Sequence, residues 1–179
     1  MPERPIMFSA PMVKAVLAGR KTQTRRLTTS PLAKAQPGDH LWVRENWRTL
    51  HKWDCLKPSQ LIDDRSNVTY EADPENRNPL WAFGKLRPSI FMPRWASRIT
   101  LTVKAVRIEK LDQISRDDAE AEGIDGEPFH WRDYLDPIRE FSSPLSSYRS
   151  LWASLHGIES WHANPDVLVL TFVMESSAE

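Results

Sequence analysis

Residues 98–109, RITLTVKAVRIE, alternate apolar and polar side chains over the longest such run in the chain. A period of two sends successive side chains to opposite faces of a strand, so this segment requires a long strand with one buried face. Residues 167–173, VLVLTFV, form a second, almost continuously apolar run and predict another strand. Shorter strand signals lie at residues 4–8, 40–47 and 68–72.

Helical spacing appears between these runs. Ser9 and Pro11 suit a helix start, Met12, Val13, Val16 and Leu17 share a face, and Gly19 can take the positive φ that ends a helix. Residues 115–122 open on Ser115 with Asp118 three positions later, close to a capping box, and stop at Gly123. Tyr148, Leu151, Trp152 and Leu155 mark a further helix ending near Gly157. Residues 52–67 and 128–144 show no clean period. Short strands mixed with two or three helices predict an α+β fold, a small β-barrel with peripheral helices and loop insertions.

With 179 residues, 40% hydrophobic and 27% charged, the chain suits one folded domain. It opens without a basic, apolar leader and has no run of about 18 apolar residues, so a cytoplasmic location and no membrane partner are expected. One cysteine excludes an intrachain disulfide. His51 and Cys55 stand four apart without further matching ligands, so neither metal nor cofactor is expected. Lys plus Arg equals Asp plus Glu at 24 each, which excludes a global positive field, and any nucleic-acid surface must be local.

Local basic clusters exist. Residues 19–26, GRKTQTRR, place Arg20, Lys21, Arg25 and Arg26 around Thr22 and Thr24, a density of donors suited to phosphate or a polar base. Arg87, Arg94 and Arg98 form a second group, and Trp95 between two of these arginines is the best placed of Trp42, Trp47, Trp81 and Trp95 to stack on a base. A solvated turn and a tryptophan core account for the same residues in bland terms. The P-loop glycine pattern is absent, as is any nucleophile-elbow sequence.

The helix ending in GRKTQTRR, the downstream PGDHLWVRE and the later SRDDAEAEGI together resemble an ASCH domain of the PUA-like superfamily. MPRWASRITL and the final WxANPxVxVL pattern are similar to the larger phage- and prophage-associated members. The resemblance covers roughly residues 4–50 and 86–175 of a single domain spanning residues 1–179 and leaves about 51–85 and 125–145 as insertions. It implies a PUA-like barrel.

Some small members remove the acetyl group of N4-acetylcytidine, and their lysine, threonine and glutamate match Lys21, Thr24 and Glu122. The implied roles are Thr24 as nucleophile, Lys21 as its base and Glu122 as support for the proton transfers. Arg20, Thr22, Arg25, Arg26, Arg94, Trp95 and Arg98 are expected to contact substrate, with Glu45 at the border of the pocket. The expected partner is a nucleoside or a nucleic acid, RNA ahead of DNA. The alternative reading is a binding module, or a ribonuclease, in which Arg20, Arg25, Arg94 and Arg98 hold phosphates.

Overall fold

A computed structural model describes residues 2–73 and 82–175; Trp81 lies outside them. In chain order the strands are β1 (Glu3–Met7), β2 (Gln23–Leu27), β3 (His40–Arg44), β4 (Trp47–Thr49), β5 (Val68–Tyr70), β6 (Thr100–Lys110), β7 (Gly126–Glu127), β8 (His130–Arg132), β9 (Glu140–Phe141) and β10 (Asp166–Met174). The α-helices are α1 (Ala10–Leu17), α2 (Arg116–Ala121), α3 (Pro144–His156) and α4 (Ile158–His162). The mixed α+β class expected from the sequence is the one observed. The chain divides into two compact units, each discontinuous in sequence.

The first unit comprises the described residues of Met1–Lys14, His40–Leu101 and Met174–Glu179. Here β1 runs parallel to β3, in register from Glu3 opposite His40 to Met7 opposite Arg44. The Val43 N–H donates to the Ile99 carbonyl at 2.9 Å, just ahead of β6. Residues 40–47 are not one strand, as their composition predicts, because Asn46 leaves the ladder. Its amide nitrogen donates to Glu71, its side-chain oxygen accepts from the Ser89 N–H, and its carbonyl accepts from the Glu71 N–H. The chain therefore turns at Asn46, and β4 pairs antiparallel with β5 instead. Trp47, Leu61, Val68, Met92 and Ala96 form a core of their own there, so residues 51–73 do more than decorate the surface.

The second unit comprises Ala15–Asp39 and Thr102–Val173. Its strands follow the order β6-β10-β2, with β10 antiparallel to β2 and Leu170 opposite Thr24. Along β6 the buried face predicted by alternation holds for Leu101 and Val103 and then stops, since Ala105 and Ile108 are exposed. The second half of the strand is given over to Arg107 and Glu109, which turn to the charged residues of α2 and β2. Residues 125–145 hold the three-stranded sheet β7-β8-β9, whose two- and three-residue strands are too short to show a period. Leu111, Ile114, Ile124, Trp131, Tyr148, Trp152, Val167 and Val169 close the core. At about 25 cal/mol per Å² of apolar surface, such side chains supply the main drive for folding.

Candidate active site

The polar segment takes its shape from the end of α1. Gly19, at φ 71°, lets the backbone reverse, and the N–H groups of Arg20 and Lys21 both donate to the Ala15 carbonyl. The turn sends the Lys21 side chain inward, where it is 4% exposed. The Thr22 N–H donates to the Ala121 carbonyl and its own carbonyl accepts from the Phe172 N–H, which ties the segment to the end of α2 and to β10. Ser115 caps α2 by accepting from the Asp118 N–H at 3.1 Å, and Glu122 follows the helix directly. Lys21 and Glu122, 101 residues apart, thereby meet.

The Lys21 Nζ has three acceptors: the Glu122 carboxylate at 3.0 Å, the Glu122 carbonyl at 2.6 Å and the Gln23 carbonyl at 2.9 Å. Burial lowers its pKa from the ordinary lysine value; Glu122 acts in the opposite sense, and Arg26 and Arg25 reinforce the lowering. On β2, alternation sends Thr24 and Arg26 to one face and Gln23 and Arg25 to the other. The Thr24 hydroxyl, fully buried, accepts from Arg26 Nη1 at 2.9 Å. Arg26 thus joins Thr24 to the electrostatic field that acts on Lys21 and Glu122.

Arg25 turns into the protein. Its guanidinium donates to Glu109 at 3.1 and 2.7 Å, to Asp118 at 2.9 Å and to Glu122 at 3.3 Å. Arg107 adds bonds to Glu109 and Asp118, both at 2.8 Å. Burial raises the Asp118 carboxyl, but Arg25, the Gln23 amide and Arg107 together hold its pKa below the usual aspartate value. Glu122 is therefore shared between a lysine and an arginine, and Arg25 is the anchor that fixes the carboxylates.

Gly123 is required for this geometry. Its φ is 76°, and a Cβ placed on it would lie 2.7 Å from Lys21 Cβ and 2.9 Å from Ala15 Cβ. Gly123→Ala should therefore cost about 1–3 kcal/mol through strain and overpacking. Thermal denaturation checks this; an unchanged Tm would contradict it.

The other predicted residues are placed as follows. Arg20 is exposed and donates to the Ile124 carbonyl at 3.3 Å, and the Thr22 side chain is exposed. Glu45, Arg94, Trp95 and Arg98 belong to the first unit. There Arg98 forks onto Glu45 at 2.9 and 3.1 Å, bonds Asp73 and lies 4.0 Å over the Tyr70 ring. Burial raises the Glu45 carboxyl, with Arg98 opposing it, and burial pushes the Tyr70 phenol up to about 12. Arg94 pairs with Glu3 at 2.8 and 2.9 Å, and Trp95 packs edge-on against Trp47 at 6.2 Å.

Glu109, Asp118 and Tyr148 are the participants that sequence reasoning missed. The acidic face of α2 was visible, but nothing in the spacing paired Glu109 with Arg25, 84 positions away. Among the described residues no group of three His, Cys, Asp or Glu side chains is arranged to hold a metal ion, and no helix is long and apolar enough to cross a membrane.

Solved structures identify the architecture. The chain shares the fold of hypothetical protein PH0355. The two are 9% identical, align over 97% of this chain and 100% of that one, and superpose with a TM-score of 0.50. An ASCH domain from Lactobacillus crispatus JV V101 aligns at 12% identity over 96% of this chain and 79% of that chain, with a TM-score of 0.49. Protein EF3133 from Enterococcus faecalis V583 aligns at 11% identity over 100% and 84%, with a TM-score of 0.45. No family model and no curated protein matches the chain. At such identities the likeness concerns the fold, and the chemistry has to be argued from the side chains.

Proposed function

We propose that the protein is an amidohydrolase that removes the acyl group from an N4-acylated cytidine, N4-acetylcytidine being the substrate to test. The observation that carries this reading is the buried Lys21 amine, lowered in proton affinity and held 3.0 Å from Glu122, beside a β2 whose Thr24 hydroxyl is bonded to a guanidinium. A desolvated lysine is a base within reach of neutral pH, and a guanidinium on a hydroxyl oxygen stabilises the alkoxide as the proton leaves. The GRKTQTRR and SRDDAEAEGI resemblance supports the same three residues.

Thr24 Oγ bonds to the acyl carbon while neutral Lys21 accepts the hydroxyl proton. The tetrahedral intermediate collapses, the bond from the acyl carbon to N4 breaks, and N4 takes the proton back from Lys21 with Glu122 orienting the amine. Water then adds to the acyl-threonine ester, Lys21 again receives a proton, and the carboxylic acid leaves with Thr24 regenerated. The net reaction consumes one water and yields cytidine and acetate.

The binding-module reading has weaker support, because Arg25, Arg94 and Arg98 are each held by carboxylates and would have to exchange them for phosphate. The covalent step separates the two readings. Acid-quenched protein incubated with N4-acetylcytidine should carry one acetyl group on the peptide containing Thr24, detected by mass spectrometry. Turnover without any such adduct, at concentrations where a slow second step would trap it, would argue against Thr24 as nucleophile.

A further inference from the structure

Tyr148 lies on α3, is 3% exposed, and packs its ring 6.0 Å from the Arg25 guanidinium carbon. Its neighbours Trp152 and Trp161, at 6.4 and 6.5 Å, fix the ring. The phenol lies within electrostatic reach of Glu122, Arg25, Arg26 and Glu109, the same charges that surround Lys21 and Thr24. Yet its hydroxyl makes no hydrogen bond to any described residue. A buried donor without a protein acceptor forfeits a hydrogen bond it could have made to water, and native structures rarely carry such a group without a use for it.

We infer that Tyr148 is a further catalytic residue, whose hydroxyl donates to the substrate's acyl oxygen as that oxygen becomes an oxyanion. The inference rests on the amidohydrolase reading. When Thr24 Oγ adds to the acyl carbon, the carbonyl π pair moves onto oxygen, and the new negative charge needs a donor placed before reaction begins. Lys21 is occupied by three acceptors and Arg25 by three carboxylates, whereas Tyr148 has its donor to give. Burial, followed by the nearby Glu122 charge, raises the phenol pKa well above its ordinary value, so the group keeps its proton at any pH at which the protein works. It acts as a hydrogen-bond donor, and no proton leaves it in the cycle.

Tyr148→Phe keeps the ring against Arg25 and the tryptophans and deletes only the hydroxyl. Loss of an oxyanion donor should lower kcat by about a hundredfold or more with little change in KM. The Tm should stay near that of the wild type. In parallel, both proteins are titrated with N4-acetylcytidine and with cytidine, followed by intrinsic tryptophan fluorescence. A wild type that turns over and a folded Tyr148→Phe protein that turns over equally fast would overturn the Tyr148 role and leave the amidohydrolase reading standing. A wild type that fails to turn over but prefers N4-acetylcytidine over cytidine, with the preference lost in Tyr148→Phe, would overturn the amidohydrolase reading and keep Tyr148 as the group that recognises the acyl oxygen. A wild type showing neither turnover nor preference overturns both.

Discussion

Arg25→Met should destabilise the fold by about 3–5 kcal/mol, the range found when one partner of a buried ion pair is removed. Arg25 is 2% exposed and makes bonds to three carboxylates at once, so its loss leaves Glu109, Asp118 and Glu122 facing each other around the remaining cations. Methionine fills the space without restoring a charge. The pH dependence should change with it. In the wild type the Asp118 pKa is lowered, so its contribution is present above the unfolded aspartate range and is lost as pH falls through the folded value. Without Arg25, burial acts on Asp118 with only Arg107 and Gln23 opposing it. The variant should therefore lose less stability on acidification than the wild type. Urea unfolding followed by tryptophan fluorescence at several pH values measures both effects, and an unchanged midpoint at neutral pH would contradict the anchoring role.

Local signals carried the fold further than they carried the site. The helix stop at Gly19, the Ser115 cap and the strand at 167–173 each depend on a few neighbouring residues, and the structure places them within one residue of expectation. Where a tertiary contact decided the outcome, the sequence misled. Asn46 breaks a run of good strand formers because Glu71 and Ser89 bind its side chain. The exposed second half of β6 serves charges on α2 instead of an apolar core. The pairing of Lys21 with Glu122 came from resemblance, and the structure supplies the contact. Arg25, expected at the substrate, instead faces three carboxylates, since adjacent residues on a strand point to opposite faces and only the fold says which face is buried. Tyr148 looked like one more residue on an apolar helix face, and the charges around its hydroxyl come from other elements.

The central claim is that Lys21 serves as the base for attack by Thr24. Removing a general base costs about a hundredfold to ten-thousandfold in rate, the largest effect expected of any change outside the fold's anchors. Lys21→Ala also leaves Glu122 with Arg25 as its remaining direct ion-pair partner, so the variant must be shown to be folded, and Thr24→Val, which keeps the side-chain shape, provides an independent check. The decisive measurement is the rate of cytidine release from N4-acetylcytidine by the wild type, Lys21→Ala and Thr24→Val at matched concentration, with folding verified by near-ultraviolet circular dichroism. The account predicts steady release by the wild type and a loss of at least about a hundredfold in both folded variants. A folded Lys21→Ala protein that releases cytidine at the wild-type rate, or a wild type that releases none, would contradict it.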